Sequence, residues 1–325
     1  MLVARNRKII LHKAYGWRDL ERTRPMQRDA LFRMASNTKA VTAAGLLLLV
    51  DQGRIRLDDR VHSYFPSFAG PRSRRITVRQ LLTHTSGLRI PTLFLKPLLQ
   101  PSAEQPQAPS LLLEVARFGG VEPEQEPGSS WSYNNAGYNT IAGLIELTTG
   151  SYKTHLRCQL YEPLGMHDSC NHESDADHSR MSAVFRKQSD GTWEVRWKPG
   201  DAPDYPFARG SGGMISTARD YAVFCQMLLN DGTYDNRRVL SAGLVRQSTQ
   251  VQTRQTDATQ AYGLGWSVSP ETGVFSHAGS DGTWAWVDPQ HQLIGLVFTQ
   301  TQRQSEHRKP FREWVTRACR PPGGR

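Results

Sequence analysis

The sequence predicts an α/β (α+β) fold, with an antiparallel sheet built from both chain ends, flanking helices and a mostly helical insertion. Two observations support this prediction. Apolar residues alternate near the N-terminus and through the last third, whereas the middle has the 3.6-residue periodicity of helices. Strands at both ends with helices between them are typical of one sheet assembled from the two termini. We therefore expect a sheet domain of residues 1–60 and 258–325, a mostly helical subdomain of residues 61–257, and an active site between them.

The individual elements follow from local patterns. Residues 1–16 predict a hairpin that turns at Asn6-Arg7, because apolar runs flank that pair. The segment after Ser36 predicts a helix that is apolar on nearly every face, lies buried and ends at Gly53. The other predictions, in chain order, are a short helix and turn at 76–88, a loop or lid at 91–110, helices at 135–150 and 151–166 with the second stopped at Pro163, turns at 168–205, a helix at 216–232, three antiparallel strands within 262–268, 282–289 and 293–302, and a closing helix at 305–319.

The charge balance raises the question of a nucleic-acid partner. The chain of 325 residues has a formal net charge of +10 and a sequence pI near 9.7. Its basic residues are scattered, and the one cluster, RSRRITVRQ at 72–80, has no interleaved aromatic residues for stacking on bases. We therefore predict a dispersed, solvated basic surface and no nucleic-acid partner.

Cysteine content and apolar runs bear on the compartment. Cys158, Cys170, Cys225 and Cys319 are too few for a disulfide framework in this length, and whether Cys158 and Cys170 pair stays open. The longest apolar run, at 40–50, is too short to cross a bilayer, so no integral membrane segment is predicted. The given N-terminus has no signal peptide and predicts a cytoplasmic protein, whereas a truncated start would leave a periplasmic or secreted protein open.

A serine and a lysine lie three residues apart at the start of the buried helix. Ser36 and Lys39 form the one Ser-x-x-Lys of the chain, and this spacing places them on the same helical face. Because burial and nearby positive charge lower the pKa of a lysine, Lys39 suits a neutral base that activates the Ser36 hydroxyl. The motif alone fits a capping serine and a lysine that reaches solvent equally well.

Two further segments carry candidate groups. In PGSSWSYNNAGYN, Tyr133 and Asn135 are two residues apart, so in an extended segment both point to one side. The tyrosine suits a proton relay and the asparagine suits orientation of the lysine or of a substrate amide, although a packed tyrosine and a capping asparagine also fit. In HAGSDGTWAW, His277 lies at a strand end, and Gly279 permits close approach of the backbone.

Backbone N–H groups complete the candidate site. Those of Ser36 and Ser280 are predicted to form an oxyanion hole, which stabilises the charge that develops during acyl transfer. The chain has no Gly-x-Ser-x-Gly elbow, which argues against an α/β-hydrolase. His84, in THTSG, is interpreted as a hydrogen-bonded turn histidine rather than a catalytic one.

Two other clusters are assigned no chemistry. GMHDSCNHESDADH, at 165–178, gathers three histidines, one cysteine and four carboxylates, but it matches no familiar ligand spacing. GSGGM, at 210–214, lacks the Gly-x-Gly-x-x-Gly spacing of a nucleotide site. We therefore predict no metal and no cofactor.

In this order and at these separations, the three segments resemble the serine β-lactamase-like superfamily. The branch concerned contains class C β-lactamases, D-alanyl-D-alanine carboxypeptidases and esterases of β-lactamase fold. LLTHTSGL, YNNAGYNTIAGLIE, YEPLGMHDS, GSGGMISTARDYAVFCQMLLNDG and YGLGW are also similar to the family, so the resemblance covers about residues 8–300. It implies a β-lactamase/transpeptidase-like fold, with an N-terminal helix that this sequence lacks before its first strand.

The resemblance also implies roles. Ser36 is the nucleophile that forms an acyl-enzyme, Lys39 is its base, Tyr133 relays the proton, and Asn135 positions Lys39 and the substrate. His277 takes the first position of the family's third motif. That motif often reads Lys-Thr-Gly and here reads His-Ala-Gly.

The departure in the third motif bears on the substrate. Histidine is mostly neutral at pH 7, and Ala278 lacks the hydroxyl that a threonine offers a carboxylate. Ala278 and Gly279 are therefore expected to line a site for neutral groups, unless Arg209 or another arginine supplies the missing charge. We expect a monomeric serine hydrolase, an esterase acting on small esters or amides. The alternatives are a β-lactamase or D-alanyl peptidase, a transacylase, and a catalytically silent binding protein.

Overall fold

The computed structural model describes residues 1–90, 96–172, 177–253, 261–302 and 305–319. Within these ranges the strands are β1 (Leu2–Arg5), β2 (Lys8–His12), β3 (Phe32–Arg33), β4 (Val184–Lys187), β5 (Trp193–Trp197), β6 (Ile215–Ser216), β7 (Thr233–Tyr234), β8 (Arg237–Arg238), β9 (Ser267–Val268), β10 (Phe275–Ala278), β11 (Thr283–Asp288), β12 (Leu293–Phe298) and β13 (Thr301–Gln302). The helices are α1 (Thr38–Asp51), α2 (Val78–Leu82), α3 (Leu111–Gly119), α4 (Asn135–Thr149), α5 (Tyr152–Leu156), α6 (Glu162–Leu164), α7 (Ala218–Leu229), α8 (Ala242–Thr249) and α9 (Arg308–Ala318).

The main sheet joins the two ends of the chain, as the sequence predicts. Its six strands run in the order β2-β1-β12-β11-β10-β9, and every neighbouring pair is antiparallel. The hairpin β1–β2 turns at Asn6 and Arg7, whose positive φ values of 49° and 66° match the right-handed twist of paired strands. All residues of β11 and β12 are buried, because helices pack on both faces of the sheet.

Helix α1 lies at the centre of the molecule. Each of its residues from Thr38 to Leu49 is buried, which fits a segment that is apolar on nearly every face. It packs against α4 and α5 on the helical side. The chain leaves the helix through Gly53, at a positive φ of 68°, where glycine has no steric cost.

Two local predictions are wrong. Pro163 does not stop the helix that begins at Tyr152, because it lies in the first turn of α6, where its missing N–H would have no helical partner. A π-helical turn, Arg157–Tyr161, links α5 to α6, and the chain leaves the helix at Gly165 with a positive φ. The last third contributes four strands to the sheet rather than three, because β10, which carries His277, lies between β9 and β11.

The segment 168–205 is not only turns. It contains the antiparallel pair β4–β5, and β13 adds to β4 in parallel. Of the predicted loop at 91–110, residues 91–95 lie outside the described residues, and 96–110 form neither helix nor strand.

Charged groups and cysteines lie as follows. The cluster at 72–80 is ion-paired: Arg72 and Arg75 contact Glu126, and Arg79 Nε lies 3.0 Å from Asp58 Oδ1. The four cysteines are present as thiols rather than disulfides, so Cys158 and Cys170 are not bonded to each other. None of the helices in the described ranges has the length and apolar character needed to cross a membrane.

Candidate active site

Ser36 lies in a tight turn that leads into the central helix. Strand β3 precedes a 3₁₀ turn, Ala35–Asn37, and α1 begins only at Thr38. Ser36 therefore does not cap the helix. It is partly exposed, and its hydroxyl lies 3.1 Å from Lys39 Nζ.

Lys39 is buried, not a surface charge. Its side chain has no exposure to solvent, and its amine donates to the Ser211 carbonyl at 2.8 Å. Burial holds the pKa of Lys39 well below its usual value, and the positive charge of Arg209 lowers this pKa further. A neutral amine can donate one N–H to Ser211 and keep its lone pair for the Ser36 proton.

The Gly-Ser-Gly-Gly segment at 210–213 supports this amine, although its sequence gave no indication of such a role. Thr42 of α1 donates to the Gly210 carbonyl at 2.9 Å. A Cβ on Gly210 would lie 2.1 Å from the Tyr138 carbonyl oxygen, so only glycine fits there. Gly210, in the segment that lacks the spacing of a nucleotide site, therefore lets this loop approach the helices closely enough for the Ser211 carbonyl to contact Lys39.

A chain of hydrogen bonds continues from this loop into the helical side. The Ser211 N–H donates to Asn139 Oδ1 at 3.1 Å, and the Asn139 amide donates to Glu114 Oε1 at 3.3 Å. Glu114 is 2% exposed, and burial raises its pKa to about 7. Its other oxygen has no hydrogen-bond partner among the described residues.

Tyr133 faces the same two groups. Its ring centroid lies 4.7 Å from Lys39 Nζ, and the Ser36 side chain lies near enough to its hydroxyl to affect the pKa of Tyr133. Tyr133 as a whole is 42% exposed to solvent. Burial of its hydroxyl end nevertheless raises the pKa of Tyr133 to about 12, and the neighbouring Ser36 side chain acts in the opposite direction. The phenol therefore holds its proton at neutral pH.

Asn135 lies apart from the lysine. It is exposed at the first position of α4, and the hydrogen bonds of the described residues do not join its amide to Lys39. The neighbouring Asn134 is buried and caps α4 by accepting from the Gly137 N–H at 3.2 Å. The helix begins between these asparagines, so the extended geometry that would pair Asn135 with Tyr133 does not continue.

His277 is buried on β10 with both ring nitrogens in use. Nε2 lies 3.1 Å from the Tyr262 hydroxyl and Nδ1 lies 3.1 Å from the Ala278 carbonyl. In the tautomer that satisfies both, Tyr262 donates to Nε2 and Nδ1–H donates to Ala278. Burial, with the nearby Lys39 charge, lowers the pKa of His277 to about 3, so the ring is neutral.

Gly279 brings the strand end against the serine turn. A Cβ at this position would lie 2.5 Å from the Met34 carbonyl oxygen, so glycine alone permits the approach. The N–H of the next residue, Ser280, has no hydrogen-bond partner among the described residues. The methyl group of Ala278 packs into the apolar cluster beneath α9.

Asn37, which sequence reasoning did not single out, links the serine turn to the strand. It is fully buried, and its amide lies 2.9 Å from the Thr283 hydroxyl. Placed with its nitrogen toward β10, the amide donates to the His277 carbonyl at 3.0 Å and accepts from the Gly279 N–H at 3.2 Å. The one sequence feature that pointed to Asn37 was its position between Ser36 and Lys39.

The metal prediction concerns residues 165–178, of which 173–176 lie outside the described residues. Among those that are described, no three histidine, cysteine or acidic side chains are grouped so that they could hold a metal ion.

Comparisons with known proteins identify the family and the fold. The family model described as Beta-lactamase matches residues 1–317. Protein Rv1367c of Mycobacterium tuberculosis is 31% identical over 92% of this chain and 84% of its own length. Among solved structures, EstCE1, a hydrolase with promiscuous acyltransferase activity, is 22% identical with a TM-score of 0.78, covering 95% of this chain and 90% of its own. A penicillin-binding protein from Bacillus halodurans is 19% identical with a TM-score of 0.80, covering 97% of this chain and 94% of its own.

The two solved structures share the fold, and the family match spans nearly the whole chain. This chain belongs to the β-lactamase family.

Proposed function

We propose that this protein is a serine hydrolase that works through an acyl-enzyme on small, neutral esters or amides. The observation that carries the proposal is the contact between a buried lysine amine and a serine hydroxyl. Lys39 Nζ lies 3.1 Å from Ser36 Oγ, and burial keeps the lysine pKa well below its usual value. A weak hydroxyl nucleophile needs such an adjacent base.

The first half-reaction follows from this contact. Lys39 takes the Ser36 proton as Oγ attacks the substrate carbonyl carbon. The carbonyl oxygen becomes an oxyanion that accepts hydrogen bonds from the N–H groups of Ser36 and Ser280. Tyr133, protonated at neutral pH, gives its proton to the leaving alkoxide or amine and recovers one from Lys39.

Hydrolysis completes the cycle. Water attacks the acyl carbon, and its proton passes through Tyr133 to Lys39. The proton then returns to Ser36 Oγ as that oxygen leaves the acyl group. Asn135 is exposed at the start of α4, so we assign it to contacts with bound substrate.

The strand side of the site favours neutral substrates. A lysine at position 277 would attract a carboxylate, but His277 is neutral and both its nitrogens are already bonded. The esterase proposal rests on this neutrality. A β-lactamase or D-alanyl peptidase is the alternative, and the penicillin-binding protein among the related structures keeps it in consideration.

Intact-mass spectrometry after incubation with a fluorophosphonate tests the nucleophile. We expect one adduct on the wild-type protein and none on Ser36→Ala. Ser211→Ala is the matched control, because it removes a hydroxyl near Lys39 and keeps the carbonyl that binds the amine. An adduct that survives Ser36→Ala would overturn the assignment. Failure of the wild-type protein to react would favour a silent binding protein.

Two chromogenic substrates test the class. We expect turnover of p-nitrophenyl butyrate and slow or no turnover of a chromogenic cephalosporin. Rapid hydrolysis of the cephalosporin without turnover of the ester would replace the esterase proposal with a β-lactamase.

A further inference from the structure

His84 lies behind Tyr133 but belongs to none of the groups assigned to the reaction. It follows α2, is 1% exposed and has a positive φ of 60°. Four aromatic rings surround it, with centroids 4.5 Å (Tyr133), 4.9 Å (Tyr262), 5.0 Å (Tyr138) and 5.8 Å (Trp131) from that of the imidazole. The prediction of a hydrogen-bonded turn histidine is confirmed, and its contacts extend to the tyrosine.

Two hydrogen bonds to His84 bracket Tyr133. The Ser132 N–H donates to the His84 carbonyl at 2.8 Å, and the Asn134 N–H donates to His84 Nδ1 at 3.0 Å. The residues on both sides of Tyr133 are therefore fixed to one histidine, whose ring also packs on the tyrosine ring. One residue, His84, therefore contacts the ring of Tyr133 and binds the backbone on both sides of it, through its carbonyl and its Nδ1.

The bracket needs a neutral imidazole. Nδ1 must keep its lone pair to accept from Asn134, so the single ring proton resides on Nε2. Burial holds the pKa of His84 well below its usual value. Nε2 is buried without a hydrogen-bond partner among the described residues.

We propose that His84 is a positioning residue for Tyr133: its Nδ1 and its carbonyl hold the chain on both sides of the tyrosine so that the phenol stays at Ser36. This inference rests on the proposed hydrolase function, in which Tyr133 protonates the leaving group. Loss of the bracket therefore harms reactions in proportion to their need for that proton.

Two esters with the same acyl group separate this role from a merely structural one. Ethyl butyrate loses ethoxide, a strong base that needs protonation, whereas p-nitrophenyl butyrate loses a weakly basic phenolate. Because kcat/KM reports steps up to acylation, deacylation of the shared butyryl-enzyme does not enter. A general loss of folded protein lowers both values equally.

The variants are His84→Phe and His84→Asn. Phenylalanine keeps a ring but offers no acceptor, whereas the asparagine oxygen can replace Nδ1 and asparagine tolerates a positive φ. We expect His84→Phe to lower kcat/KM about 100-fold for ethyl butyrate and less than about tenfold for p-nitrophenyl butyrate. His84→Asn should recover most of the loss on the ethyl ester.

His155→Phe is the matched control. His155 is also buried, 6% exposed, and its Nε2 contacts the Gly45 carbonyl at 2.9 Å, away from Tyr133. The His155→Phe variant should lower the melting temperature as His84→Phe does. It should leave the ratio of kcat/KM for the two esters unchanged. In a Tyr133→Phe background, His84→Phe should change neither ester further.

Several results would overturn the inference: equal losses on both esters, no recovery by His84→Asn, or a full further loss in the Tyr133→Phe background. Tyrosine-ring NMR gives a readout that does not need activity. The ring signal that disappears in Tyr133→Phe should move in His84→Phe and stay in His155→Phe, and an unmoved signal would contradict the bracket even if His84→Phe is poorly stable. Absence of wild-type ester turnover would refute the proposed hydrolase instead.

Discussion

The helix side and the strand side of the candidate site each bury a basic side chain, and the two side chains differ in their hydrogen bonds. On the helix side, Lys39 is fully buried beside Ser36, and its one strong acceptor is the Ser211 carbonyl. On the strand side, His277 is buried too, but Tyr262 and the Ala278 carbonyl occupy both of its nitrogens. Burial lowers the pKa of both bases, yet among the described contacts it is the lysine that lies beside a serine hydroxyl, as the proposed reaction requires. In the proposed mechanism, the reactivity of a buried base therefore depends on whether its nitrogen is left unbonded, not on burial alone.

The largest effect should come from removing the helix-side base. Lys39→Met keeps the length of the side chain and removes the amine, so kcat/KM for p-nitrophenyl butyrate should fall by about 10²–10⁴-fold. Steady-state kinetics and fluorophosphonate labelling measure the loss. The exposed Lys153→Met is the control and should behave as wild type. Activity that survives Lys39→Met would make the two sides alike and remove Lys39 from the mechanism.

A smaller effect concerns Glu114, the second buried ionisable group of the helix side. Its pKa in the folded protein, about 7, lies above the ordinary value of 4.5. Between these values the folded state holds a proton that the unfolded chain releases, so the free energy of unfolding falls as pH rises from about 4.5 to about 7. Glu114→Gln cannot ionise and should remove up to about 3 kcal/mol of this fall.

Urea unfolding at pH 5 and pH 8 measures the difference for both proteins. The exposed Glu21→Gln should leave the pH dependence as in the wild-type protein. An identical pH dependence in Glu114→Gln and wild type would show that Glu114 is not held in its neutral form.

The smallest effect tests the neutrality of the strand side. With p-nitrophenyl butyrate and the p-nitrophenyl monoester of succinate, the wild-type protein should prefer the neutral butyrate. His277→Lys adds a cation and should shift the ratio of kcat/KM toward the succinate ester by about tenfold, or about 1.4 kcal/mol. A wild-type preference for the succinate ester would point to Arg209 as the missing charge, and Arg209→Gln should then abolish that preference.

Local patterns were enough for the elements that carry the nucleophile. The run of apolar residues after Lys39 predicts a buried helix, and burial of the amine follows from it. The Asn6-Arg7 turn was likewise predicted from neighbouring residues.

Contacts between segments far apart in sequence could not be predicted from local patterns. The Ser211 carbonyl meets Lys39 across 172 positions of sequence, and Asn37 meets Thr283 across 246. Strand β4 shows no alternation, whereas β5 alternates apolar and polar residues over only five positions and was missed within a segment rich in turn residues. The bracket around Tyr133 joins a positive-φ turn to a backbone N–H 50 positions away, and no pairwise spacing predicts such a bond.

The pairing of Leu2 with Leu296 makes the main sheet depend on a contact between segments far apart in sequence. Strand β1 can join the sheet only after β12 has been synthesised. Closing so long a loop is slow, and contacts of this range delay folding. A nascent chain therefore carries Ser36 and Lys39 before Gly279 and Ser280 exist, so the proposed site is completed late in folding.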